Sequence, residues 1–229
     1  MAEKISPKSY LKLSWNERLY VEKKCWSRGF QRVAGLDEAG RGPLAGPVVA
    51  AVFVITPDFK MEGLNDSKQL TPLQRQNYFQ KLTSGLWEYG VGIVEPCEID
   101  RINIYQASRM AMLKALQSLP KPPDFLLVDA LKVPETEIEQ QAIIHGDALS
   151  VAIAAASVIA KCTRDKIMTE YDGVYPGYGF AKHKGYPTPE HYLALEKLGP
   201  SPIHRRSFRL DRKSAPGNIE LFPEEGVGS

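Results

Sequence analysis

The sequence has little cysteine, no long apolar run and almost no net charge, and each scarcity excludes something. Cys25, Cys97 and Cys162 are odd in number and widely spaced, which argues against a disulfide framework and a cysteine-based zinc site. They read as reduced, mostly buried thiols. The longest apolar stretch, residues 151–160, is alanine-rich and about half the length that crosses a bilayer. The opening residues MAEKISPKSY lack the apolar core of a signal peptide, so the expected address is cytoplasmic. Lys and Arg number 29 against 27 Asp and Glu, for a formal net charge of +2. That balance conceals an uneven distribution: residues 31–160 are net acidic, while 1–30 and 161–213 are net basic. A polyanion held at its edges around a cation-binding centre fits such a pattern, as do solvated faces with no ligand.

With 229 residues, 43% of them hydrophobic and 24% charged, the chain has the composition of a globular protein with one sizeable core. Helical spacing is expected over 15–27 and a capped helix over 72–82, with Thr71 before Pro72. A long amphipathic helix is expected over 98–119, a second over 148–171 and a short one over 189–198. Val/Ile-rich or continuously apolar runs predict strands at 31–37, 48–55, 87–94, 125–128 and 142–144. This alternation predicts an α/β protein with mixed strand directions. The expected division is an N-terminal helical segment (1–30), a catalytic core (31–172), a C-terminal helical extension with a substrate-contacting loop (173–213) and a flexible tail (214–229).

The densest chemical signal is DEAGRGPLAGPV, which begins where an apolar strand ends. Adjacent carboxylates on a strand point to opposite faces, and an Asp in the run RVAGLD is costly to bury unpartnered. Asp129 ends FLLVD, and Asp147 opens a helix at HGD. Taken singly, Asp129 fits a turn former and Asp147 a helix cap. Asp37 and Glu38 beside three glycines are harder to explain as a turn alone. If these acids converge at one sheet edge, protons or cations must relieve their repulsion. Oxygen ligands without cysteine or a histidine pair favour Mg²⁺ or Mn²⁺, and paired ions on carboxylates suit phosphodiester chemistry.

DEAGRGPLAGPV, followed by LNDSK, VDA, GD before a helix, AAASVIAK with RD, and YPGYGFAKHKGYPT, strongly resembles bacterial ribonuclease HII over roughly residues 31–210. The 18 residues from Asp129 to Asp147 are similar to the family's spacing. The resemblance implies a ribonuclease H-like fold: a mixed five-stranded sheet flanked by helices, with a C-terminal helical extension. It implies a metal-dependent endoribonuclease that cleaves RNA in RNA/DNA hybrids and single ribonucleotides embedded in duplex DNA, with a role in ribonucleotide excision repair. Cleavage falls 5′ of the ribonucleotide and leaves 3′-hydroxyl and 5′-phosphate ends. By the same resemblance Asp37, Glu38, Asp129 and Asp147 are the catalytic acids and metal ligands for two Mn²⁺ or Mg²⁺ ions, the first three the firmest. Gly40, Arg41 and Gly42 match the GRG loop, Tyr186 the tyrosine packed on the sugar at the RNA–DNA junction, and Ser67 and Lys68 the phosphate-contacting element.

Lys184, in the loop of Tyr186, is a further expected phosphate contact, and a monomer is expected. Residues 152–157 read as a close-packing helix face. Arg164 and Asp165 read as paired or solvated, with Lys161 and Arg164 also placed along the nucleic-acid path. Arg205, Arg206, Arg209, Arg212 and Lys213 form a basic cluster, either solvated or against a DNA backbone. One departure from the family is Ala130, where many members have glycine. Alanine is harmless there unless the backbone needs a positive φ.

Overall fold

The computed structural model describes residues 13–133 and 135–211. The tail 214–229, Arg212 and Lys213 lie outside the described residues. Two short helices, α1 (Trp15–Arg18) and α2 (Tyr20–Ser27), lead into a five-stranded sheet: β1 (Val33–Ala39), β2 (Val48–Ile55), β3 (Tyr89–Val94), β4 (Phe125–Asp129) and β5 (Gln140–Ile143). Spatial order is β3-β2-β1-β4-β5. The β1–β2 and β2–β3 pairs are antiparallel, and β1–β4 and β4–β5 are parallel. This is the mixed α/β sheet expected from the sequence.

Pleating divides β1 between two cores. Val33 packs with Ala51, Phe53, Phe125 and Leu127 on the face covered by α6 (Val151–Val174). Ala34 and Leu36 pack with Ala50, Val52, Leu126 and Val128 on the face covered by α4 (Pro96–Gln117). Gly35 explains why α6 can sit so close: a Cβ there would lie 2.1 Å from the carbonyl carbon of Ala152. The alanines of 152–156 are fully buried, as close packing of a helix on a sheet requires. A capping box of Thr71 and Gln74 opens α3 (Pro72–Leu82), with the bounds its sequence predicts.

Three expected helices are interrupted. The N-terminal one divides at Leu19, between α1 and α2. In α4 Asn103 takes φ 67° and ψ 164°, and its Oδ1 accepts from Tyr105 and Gln106 N–H, so the side chain caps the second half. The helix expected over 148–171 is two: α5 (Gly146–Leu149), then α6 after an extended Ser150. Asp147 sits inside α5, whose N-cap is His145, so it is not the cap itself.

The C-terminal portion comprises α7 (Phe180–His183) and α8 (Pro189–Leu198). They share a third cluster with Leu44, Ala45, Met168 and Ile203. The loop after β1 is laced to this portion: Leu44 N–H donates to the Gly185 carbonyl at 2.8 Å and Gly46 N–H to that of Ile203 at 2.9 Å. The cysteines are all free; Cys25 is buried and Cys162 half-buried, but Cys97 is exposed, which corrects the expectation of mostly buried thiols. Burial pushes the Cys25 and Cys162 thiols up to about 11. Among the described residues no helix is long and apolar enough to cross a membrane.

Candidate active site

Leu36 pairs with Val128, so the next residues, Asp37 and Asp129, stand side by side where the β1–β4 pairing stops; Asp129 ends β4, while β1 runs on to Ala39 beside β2. Both aspartates lie on the α6 face of the pleat. Asp129 Oδ1 accepts from Gly146 N–H at 2.8 Å, which draws the start of α5, and with it Asp147, against the strand ends. Oxygens of Asp37, Asp129 and Asp147 consequently lie within 4.8 Å of one another. Asp37 and Asp147 are buried and Asp129 half-buried.

Glu38 faces the other way along the pleat and is outside this trio. It nevertheless lines the same cavity of about 260 Å³, together with Asp37, Asp129, Gly40, Arg41, Gly42, Ser67, Lys68, Ser157, Lys161 and Tyr186. Its Oε1 accepts from Arg41 at 3.4 Å, while its Oε2 is buried without a hydrogen-bond partner.

Burial, then repulsion from Glu38 and Asp129, pushes the Asp37 carboxyl well above the usual carboxylate range. Glu38 is raised by burial despite the attraction of Arg41, and Asp129 by burial and by Asp147. Crowded hard oxygens plus an orphaned carboxylate oxygen form a donor set that fits Mg²⁺ or Mn²⁺. Lys68 Nζ stands 3.2 Å from Asp147 Oδ2. Burial lowers the Lys68 ammonium, and Asp147 and Asp66 more than reverse that.

The expected substrate-reading residues meet over the acids. A Cβ on Gly42 would come within 4.0 Å of Tyr186 Cε1, and the exposed Tyr186 ring has Lys161 Nζ 5.7 Å from its centroid. Gly40 has φ +100°, and a Cβ there would be 2.2 Å from Arg164 Nε, so the turn and its close packing both need glycine. Ser67 is buried, its hydroxyl 2.9 Å from that of Ser157. Lys184 is placed differently: Nζ donates to Thr169 Oγ1 at 2.7 Å, and the side chain lines a separate groove with Arg75, Cys162 and Asp165.

Two arginines correct the sequence reading. Arg164 is buried and donates to the carbonyls of Pro47, Ala45 and Lys184 at 2.9–3.0 Å; it is neither solvated nor paired with Asp165, whose closest partner is Lys161 at 2.8 Å. Arg205, expected in a basic surface cluster, is also buried. It donates to the carbonyls of Gly46, Arg41 and Gly40 at 3.0, 3.0 and 2.6 Å. Burial pulls the guanidinium of Arg164 down to about 10 and that of Arg205 to about 9. Together they clamp the loop of residues 40–47 to α6 and the Tyr186 loop. Arg206 and Arg209 are exposed.

Ser157 was missed: read as part of a packing face, it lines the cavity, and its hydroxyl favours the ionised form of the Asp37 carboxyl. Its signal was a hydroxyl in an alanine run, one helical turn before Lys161. Ala130 has φ +54°, so the condition under which alanine is costly is met.

The family model described as Ribonuclease HII matches residues 34–211. A Ribonuclease HII of Desulfitobacterium hafniense (strain Y51) is 54% identical over 83% of this chain and 73% of its own length. One from Geobacillus kaustophilus is 53% identical over 90% of this chain and 79% of its own. Among solved structures, ribonuclease H2 from Pyrococcus horikoshii OT3 is similar with a TM-score of 0.67 and 34% identity, over 80% of this chain and 96% of that one.

Proposed function

Because the chain belongs to the ribonuclease HII family, a family of ribonuclease H type 2 endonucleases, we propose that it hydrolyses the RNA strand of RNA/DNA hybrids and also cuts at single ribonucleotides within duplex DNA. The cut falls 5′ of the ribonucleotide and leaves 3′-hydroxyl and 5′-phosphate ends. The observation that carries this reading is the shared cavity: Asp37, Glu38 and Asp129 line it together with the GRG loop and Tyr186, and Asp147 lies against the two aspartates.

Asp37, Asp129 and Asp147 hold the divalent ions in this reading, with Glu38 the fourth ligand once its orphaned Oε2 turns to a cation. Two bound Mg²⁺ or Mn²⁺ ions supply activation of the attacking water and stabilisation of the leaving oxygen. The remaining work belongs to side chains and backbone. Gly40 and Gly42 let the chain approach a ribose closely enough to sense a 2′-hydroxyl, the atom that separates RNA from DNA. Tyr186 packs against the sugar beyond it. Lys68, held at the rim by Asp147, meets the phosphate, and Ser67 supports that turn from below. Lys184, away from the cavity, contacts the duplex backbone farther along its path.

The test uses three labelled duplexes with Mn²⁺ or Mg²⁺: all DNA, DNA with one ribonucleotide, and a long hybrid. Expected are cutting of the second 5′ of the ribose, cutting of the third, none of the first, and loss of all cutting with chelator. Cutting of plain DNA overturns the substrate assignment; binding without cleavage under either metal overturns the enzymatic one. Tyr186→Ala is expected to weaken the single-ribonucleotide reaction more than general duplex binding, and equal losses remove its assigned role.

A further inference from the structure

Helices α1 and α2 precede the residues matched by the family model, yet two of their charged side chains are buried in the core. Arg18 is 4% exposed and Glu22 0%. A buried charge has to be held by partners, and the partners of these two lie on either side of the Lys68–Asp147 ion pair.

Arg18 donates through Nη2 to Asn65 Oδ1 and through Nη1 to the Leu64 carbonyl at 3.4 Å. Asn65 Oδ1 also accepts from Asp66 N–H at 2.8 Å, and Asp66 Oδ1 accepts from Lys68 N–H at 2.9 Å. Lys68 Nζ then reaches Asp147. This unbroken chain runs from the first helix to the acid site.

Glu22 approaches from the other side. Its Oε1 accepts from the Ser150 hydroxyl at 2.6 Å and from Ala152 N–H at 3.0 Å. It therefore supplies a carboxylate to the N-terminal turn of α6, where backbone N–H groups lack partners. Ser150 is the junction between α5 and α6, and its N–H donates to the Gly146 carbonyl at 2.8 Å. Helix α1 packs on α5 itself, and Trp15, Val21 and Leu149 lie against one core. Asp147 is thus gripped on both sides by a segment that contributes no ligand.

We propose that the N-terminal helices are a positioning element of the active site, with Arg18 fixing the turn that carries Lys68 and Glu22 fixing the α5–α6 junction that carries Asp147. The inference rests on the reading that the acids bind divalent cations. Outer contacts of this kind set ligand geometry and hence metal affinity.

The experiment compares the full chain with Glu22→Ala and Glu22→Gln; the second keeps the acceptor oxygen. Mn²⁺ binding is measured by calorimetry and kcat and KM on the single-ribonucleotide duplex. Glu22→Ala is expected to weaken Mn²⁺ binding about tenfold and lower kcat at unchanged KM, with Glu22→Gln within about twofold of the unaltered chain. Glu22→Ala with a native circular dichroism spectrum, unaltered Mn²⁺ affinity and unaltered kcat overturns the proposal and leaves the segment a stabiliser only. If Glu22→Ala does not fold, Arg18→Lys replaces it, since lysine keeps the charge but not the fork that holds two acceptors. A loss of about tenfold in kcat at constant KM supports the proposal, and an unchanged kcat overturns it. Failure of the unaltered chain to bind Mn²⁺ sinks the metal-site reading instead, and this inference with it.

Discussion

His191 and His204 face each other through their Nε2 atoms at 3.0 Å, and their outer nitrogens decide which ring holds the proton between them. Ser201 N–H donates to His204 Nδ1 at 2.9 Å, so the His204 proton sits on Nε2 and is donated to His191. The His191 proton is then on Nδ1, 2.9 Å from the Tyr186 carbonyl. Both rings are neutral in this arrangement, and a further proton on either His191 Nε2 or His204 Nδ1 removes an acceptor that the wire needs.

A pH dependence follows. Burial pulls both histidines down to about 4 from an ordinary 6.5. The unfolded chain then binds protons that the folded chain refuses, so stability is full above pH 6.5 and falls as pH drops toward 4. Each such shift is worth on the order of 3 kcal/mol. The raised carboxyls of the acid site oppose this trend in the metal-free protein, since acid relieves their burial, so the check is made on the rings themselves: NMR of the imidazole nitrogens is expected to show both neutral at pH 5. Charged rings at pH 5 in a folded protein refute the wire.

Arg205→Met is expected to unfasten the GRG loop. The substitution takes the Arg205 donor from three carbonyls, those of Gly46 and Gly40 buried and that of Arg41 partly so, a cost of about 3 kcal/mol. A phosphate-contacting arginine behaves differently: its loss lowers the salt dependence of duplex binding and leaves stability unchanged. Chemical denaturation and a salt titration of binding separate the two, with a large stability loss and an unchanged salt slope expected.

Much of this was legible in the sequence because it is written in local patterns. The strand end at Asp129 follows from an apolar run that stops at a charge, and the helices at 72–82 and 189–198 from Thr-Pro openings; the strand expected to stop at Asp37 runs two residues further, to Ala39. The roles of Arg164 and Arg205 were not legible, because all but one of their partners are carbonyls more than a hundred residues away and a carbonyl leaves no mark on composition. Arg18 and Glu22 were not legible either, because their partners lie 46 to 130 residues away and their helices read as an appendage until those contacts are seen. Glu38 was predicted with the other acids, and the pleat explains its separate position. The breaks at Asn103 and Ser150 were hidden because each residue caps the next helical stretch, so apolar periodicity resumes without a proline or glycine to mark the gap.

Ala130→Gly is expected to stabilise the protein. Ala130 is exposed at φ +54°, immediately after a site aspartate. A left-handed alanine costs about 1 kcal/mol relative to glycine, and the exposed methyl has little packing to lose. Urea denaturation is expected to show a gain of about that size. A loss of stability shows that the turn does not carry the strain its geometry implies.

Asp37→Asn separates stability from activity. In the metal-free protein the Asp37 carboxyl is raised, so its ionised form opposes folding near neutral pH, and a neutral amide of the same shape removes that penalty. Asparagine keeps the oxygen that accepts from Glu38 N–H at 2.7 Å. The metal-free variant is therefore expected to melt higher than the unaltered chain. Added Mn²⁺ stabilises whatever binds it, by about 2.7 kcal/mol at a hundred times the dissociation constant, so the order of melting is expected to reverse as Mn²⁺ is raised. Cleavage by the variant is expected to fall by at least about 100-fold, since loss of a ligand exceeds the cost of losing an outer contact. If Mn²⁺ raises both melting points equally, Asp37 is not a ligand, and the burial of its charge needs another explanation.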